Sequence, residues 1–220
     1  GAVTVNGGAG AGDTVRWNIN AGSATSTSAI SYNPQATNAG RDAQVNITTG
    51  VLNAEGGITF EGTDTGHVDN QTLSIGADGL VKLKGAVSNL NTFADIISAA
   101  GSFFNYYDSA AAQTVVFDTV DPTYGTLYIN NTHANGATLG AAVTGGNVIS
   151  TINVQSGTLK NGGLAMAHLS GVFEVQNGAT FIMTGGTTAT FPQFGGTITL
   201  GNTSSVYYNQ DSAQVVSSQA

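Results

Sequence analysis

The sequence predicts an all-β chain wound as a right-handed parallel β-solenoid, and three observations carry that expectation. Short apolar/polar alternations, closed by Gly or Asn, recur along the whole length. Internal matches return at a spacing of about 100 residues, the mark of repeats that stack on their neighbours. The composition is that of a folded, neutral-polar protein: 220 residues with 31 Gly and 3 Pro, 40% hydrophobic and only 8% charged, where an ordinary soluble domain carries about 25% charge. The right hand follows the general bias of parallel crossover connections.

Taken in order, Gly7-Gly8-Ala9-Gly10-Ala11-Gly12 has the glycine content of a phosphate-binding loop but no following Lys-Ser/Thr, so it reads as a flexible segment. Thr14-Val15-Arg16-Trp17-Asn18-Ile19-Asn20 is the first clear alternation. Gln44 to Leu52 is the next, and Leu73 to Gly85 holds two strands around the turn Asp78-Gly79. Thr151 to Leu159 and Val172 to Met183 repeat the theme. One segment departs from it. Leu90, Phe93, Ile96, Ile97 and Ala100 are close to helical spacing, with Asn91 or Thr92 as N-cap, and predict a short lateral helix near 91–104, another strand coil being the alternative. The expected core is Ile47, Leu52, Ile75, Val81, Leu83, Leu127, Ile129, Ile152, Val154, Leu159, Val175 and Ile182.

Period-two strands alone would equally describe a sandwich, and internal repetition decides for a solenoid. Tyr106-Tyr107 and Gln113 return 101 residues later as Tyr207-Tyr208 and Gln214. Asn46 to Leu52 matches Asn153 to Leu159 at an offset of 107, and Ile75 to Gly85 matches Val175 to Gly185 at 100. The chain therefore reads as a single domain over 1–220, made of two diverged halves near 15–116 and 117–218.

Tyr124-Gly125-Thr126-Leu127-Tyr128-Ile129-Asn130-Asn131-Thr132, with Gly136 to Gly140 and Ile152 to Leu159, resembles the repeats of large secreted β-helix surface proteins of the Bacteroidota type. Ser205 to Asn209, followed by Gln214-Val215-Val216, looks like the element that precedes another such strand. The resemblance covers most of 105–220 and, more weakly, 14–90, and it implies architecture and export, with members acting as adhesins or structural surface components.

Charge and residue types exclude several function classes. Five basic residues (Arg16, Arg41, Lys82, Lys84, Lys160) against 13 acidic ones give a net charge of −8, which disfavours nucleic acid and anionic membrane. No apolar run approaches the ~18 residues of a membrane-spanning helix. Cysteine is absent, and with it disulfides and thiolate chemistry. Gly1 in place of Met, without a basic-then-apolar leader, reads as a mature exported product.

Glu55, Glu61, Asp64, Asp69 and Asp78, near His67, form the one acidic cluster that invites Ca²⁺, but its spacing is not of EF-hand type and it reads as a solvated turn. Asp118 and Asp121 form a lesser pair. His67, His133 and His168 lack metal-ligand spacing and read as turn or edge residues. No Gly-x-Ser-x-Gly elbow occurs. The aromatics Phe103, Phe104, Tyr106, Tyr107, Tyr207 and Tyr208 suggest a sugar platform or, on the simpler reading, stacking within and between coils. The sequons at Asn46, Asn70, Asn130 and Asn202 are those an Asn/Thr-rich chain produces by chance. Thr48-Thr49 and Thr187-Thr188 do not recur at coil spacing, which argues against an ice-binding ladder.

The expectation is a non-enzymatic, secreted structural protein without cofactor, catalytic, cofactor-binding or metal residues. It self-associates end to end, the strand Thr14 to Asn20 of one copy extending the coil that ends near Val215-Val216 of another. An adhesin or carbohydrate-binding module is the alternative, and a polysaccharide-active enzyme ranks behind both.

Overall fold

A computed structural model of the chain describes residues 3–6, 14–33, 42–60, 71–90, 94–118, 123–184 and 191–209. The fold is all-β and parallel, a β-solenoid of about seven turns. Two compact units make it up, residues 1–105 with 118–126, and residues 106–117 with 127–220.

In the first unit each turn contributes one strand to each of three sheets. The first sheet orders Val3–Asn6, Ile30–Asn33, Ile58–Thr59 and Val87–Ser88 side by side. The second orders Thr14–Ile19, Asp42–Ile47, Gln71–Ile75 and Ala94–Ser98, and the third Ser23–Ser26, Val51–Ala54, Leu80–Leu83 and Phe103–Tyr106. Successive turns pair in register, Ile19 beside Ile47 and Ile47 beside Ile75. Since side chains alternate across a strand, each such column is either wholly inward or wholly outward. The inward columns supply the core, with Val45, Ile47, Leu52, Leu73, Ile75, Val81 and Leu83 all buried. Tyr32 stacks on Phe60 at 4.8 Å, and Phe104 meets Tyr124 edge-on at 5.0 Å.

The second unit follows the same rule. Val148–Val154, Val172–Val175 and Ile198–Leu200 neighbour one another in order, with Tyr124–Ile129 beside Val148–Val154. A five-stranded sheet orders Gln113–Val115, Ala137–Leu139, Thr158–Lys160, Thr180–Thr184 and Ser205–Asn209, and Ala167–His168 pairs with Gln193–Phe194. Phe173 packs edge-on against Phe181 at 5.0 Å in its core.

Two expectations are corrected. There is no lateral helix among the described residues: Ala94–Ser98 and Phe103–Tyr106 are strands, while 91–93 lie outside the described residues. Ala94, Ile96 and Ser98 are inward partners of Gln71, Leu73 and Ile75, whereas Ile97, which completed the helical spacing, is 37% exposed. The backbone groups of Gln71–Ile75 need a partner strand, and that requirement outweighs a local 3.6-residue pattern. The second correction concerns Ile182, which is half-buried on the outer side, while Phe181 and Met183 point inward. Its register decides this, because Phe181 stands beside the buried Leu159 and Ile182 beside Lys160. The other eleven expected core residues are buried.

The internal matches are likenesses of corners. Asn46 to Leu52 and Asn153 to Leu159 each close one strand, turn through Gly50 or Gly157, and open the next. The matched tyrosines differ in surroundings: Tyr106 is fully buried at the end of Phe103–Tyr106, and Tyr207 is 56% exposed in Ser205–Asn209.

Candidate functional site

The outer surface of the turns is held by hydrogen bonds between equivalent side chains of successive coils. Arg16 Nε donates to Gln44 Oε1 at 2.8 Å, Asn46 Nδ2 to Asn18 Oδ1 at 3.0 Å and Asn53 Nδ2 to Thr25 Oγ1 at 3.1 Å, each pair 28 residues apart. In the second unit Asn130 Nδ2 donates to Gln155 Oε1 at 2.8 Å, and Asn153 Nδ2 to Glu174 Oε2 at 2.6 Å. These Asn and Gln columns bind the coils to one another. The sequon residues Asn46 and Asn130 are both spent in this way.

Glu55 and Asp78 are exposed turn residues, while Glu61, Asp64, His67, Asp69 and Asp121 lie outside the described residues, as do Asn70 and Thr187-Thr188. Asp118 is buried and structural, its carboxylate accepting from Ile96 N–H at 3.0 Å and its own N–H donating to Thr123 Oγ1 at 2.6 Å. No group of three or more metal-ligating side chains forms among the described residues. Nor, among the described residues, is any helix long and apolar enough to cross a membrane. Phe104 and Tyr106 face the core while Phe103 and Tyr107 are half-buried, so these four do not form a common exposed platform. His133 sits in a turn, where its Nδ1 accepts from Asn135 N–H at 3.1 Å.

His168 is the exception in setting. It is buried at the end of Ala167–His168, with Nε2 2.6 Å from the carbonyl of Val148. Nδ1 accepts from Gly171 N–H at 2.7 Å and from Ser170 N–H at 3.2 Å. Two donors at Nδ1 leave Nε2 as the protonated nitrogen, donating to Val148. Both nitrogens are thereby committed to backbone, and the ring is a structural wedge. Gly171 makes room for it, since a Cβ there would lie 2.6 Å from the ring.

Around this wedge lies a cleft of about 730 Å³ lined by Gly145, Ala167, His168, Leu169, Ser170, Gln193, Phe194 and Gly195. Ala167 stands beside Gln193 on the outer side of the strand pair, and His168 beside Phe194 on the inner side. His168 stacks on Phe194 at 6.0 Å, and Phe194 on Phe173 at 5.6 Å, so the cleft backs onto an aromatic stack. Leu169 is 96% exposed on its rim. Among the described residues no charged side chain lines it. Sequence reasoning named His168 but missed the cleft, because Gly145, Leu169 and Gln193 come together only through coil stacking. No protein-family model matches the chain, and no curated protein or solved structure gives a match either.

Proposed function

We propose that this chain is a secreted structural building block of an extracellular layer, sheath or filament, whose copies add to one another coil on coil. The observation that carries the reading is a set of core-aligned residues left exposed at two outermost strands. Leu200 stands in register with the buried Val175, yet is 45% exposed. At the first turn of the other unit, Val15 stands in register with the buried Ala43 and is 38% exposed, and Trp17, beside the buried Val45, is only half-buried. Among the described residues no further coil covers either strand, and Val215-Val216, where the sequence reading puts the joining coil, lie outside the described residues. A strand laid against each would continue its ~4.8 Å parallel ladder, and where further copies of the chain supply those strands the heterologous contact propagates into an open filament. The amide columns and the low charge density support the same reading, because the columns tie coil to coil within each unit and the sparse charge opposes association only weakly.

Sedimentation and negative-stain microscopy at rising protein concentration test it. Wild-type protein is expected to form end-to-end assemblies, and Leu200→Asp or Val15→Asp to remain monomeric with unchanged thermal unfolding. A strictly monomeric wild type at high concentration would overturn the proposal.

A further inference from the structure

We propose that the cleft beside His168 is a binding site for a neutral glycan. This inference is independent of the filament reading, since it concerns one face of the second unit. A volume of about 730 Å³ is in the range of built ligand sites. Its chemistry is of two kinds. Leu169, almost wholly exposed, together with Ala167 and Phe194, which also line the cleft, offers an apolar surface of the sort a pyranose covers with its C–H face. Beside it, the Gln193 amide and the Ser170 hydroxyl are held by no other protein group among the described residues. One amide presents a donor and an acceptor together, which suits a pair of neighbouring sugar hydroxyls.

Charge decides between sugar classes. Among the described residues the lining holds no cation, and the chain carries 13 acidic against 5 basic residues, so a uronate or phosphorylated glycan would enter without a counter-charge. His168 keeps both ring nitrogens on backbone groups and serves as a wall of the cleft. The cleft is also preformed. Gly195 lies so close to Leu169 that a Cβ there would meet its carbonyl oxygen, and the aromatic stack fixes the wall behind. Little ordering remains to oppose binding.

The test is calorimetric titration with short oligosaccharides of glucose, mannose, galactose and xylose, against oligomers of galacturonate, on wild type and on Leu200→Asp. The monomeric background separates this proposal from the assembly proposal. At least one neutral oligosaccharide is expected to bind both proteins, and galacturonate neither. Gln193→Ala and Leu169→Asp should each weaken binding about tenfold, with thermal unfolding unchanged because both side chains are exposed. Absence of binding across the neutral panel, equal binding of galacturonate, or unchanged affinity in both variants would overturn the proposal.

Discussion

At the scale of single residues, the fold depends on a few side chains and glycines whose roles are set by a neighbouring coil. Tyr32 is fully buried against Phe60, its hydroxyl 3.3 Å from the carbonyl of Thr72. Burial pushes its phenol well above the ordinary tyrosine range, with a backbone hydrogen bond at Val45 opposing in part. Below about pH 10 the phenol is neutral in both states and contributes no pH dependence. As pH rises further the unfolded chain releases the proton while the folded chain retains it, so stability falls until the folded phenol itself ionises. Tyr32→Phe should therefore show a shallower alkaline decline in urea midpoint than wild type, and parallel declines would refute this role. Gly157 makes a second case. Its φ is +72°, and an added Cβ would fall 1.8 Å from the carbonyl oxygen of Asn131, whereas Gly178, at φ +76°, has nothing within 4 Å. Gly178→Ala meets only the left-handed backbone penalty of about 1 kcal/mol. Gly157→Ala adds a backbone collision and should lose about 2 kcal/mol or more. Equal denaturation midpoints for the two variants would show that no such collision exists.

At the scale of the strand, register with the previous coil decides what a residue does. Thr180–Thr184 offers apolar candidates on both of its faces, Phe181 and Met183 against Ile182, and its pairing with Thr158–Lys160 selects the former. An aspartate at an inward position is a buried, unpaired charge worth several kcal/mol. Phe181→Asp, like Ile152→Asp or Val154→Asp, should therefore prevent folding, whereas Ile182→Asp should leave a cooperative thermal transition. Collapse of all four variants would mean the strand is buried on both faces. Ala94–Ser98 gives the same lesson, its alternation hidden in the sequence by the exposed Ile97. Asn131 and Asn161 are also set by this scale. Asn131 is fully buried, bonding Ala111 and Gln113 through Nδ2 and His133 N–H through Oδ1. Asn161 receives Thr184 N–H at 2.8 Å from the following coil. Both act as internal ties, a role that an Asn-rich sequence does not single out.

At the scale of the whole molecule, each unit gains its stability by stacking nearly equivalent turns, so an uncovered outer strand exposes core as well as backbone. The proposed assembly through Val15, Trp17 and Leu200 rests on apolar contact and strand pairing, and should persist as salt is raised, unlike association driven by surface charge. The all-β class, the solenoid architecture and eleven of the twelve expected core residues were legible in the sequence, because period-two alternation and Gly-bounded corners are local properties written in consecutive residues. Tertiary structure alone decided that residues 94–98 form a strand, that Phe181 and not Ile182 is core, and that His168, Leu169 and Gln193 border one cleft. The physical reason is common to all three. In a solenoid the hydrogen-bonding partners and packing neighbours of a strand lie one coil away, and the length of each coil depends on how its turns close in space.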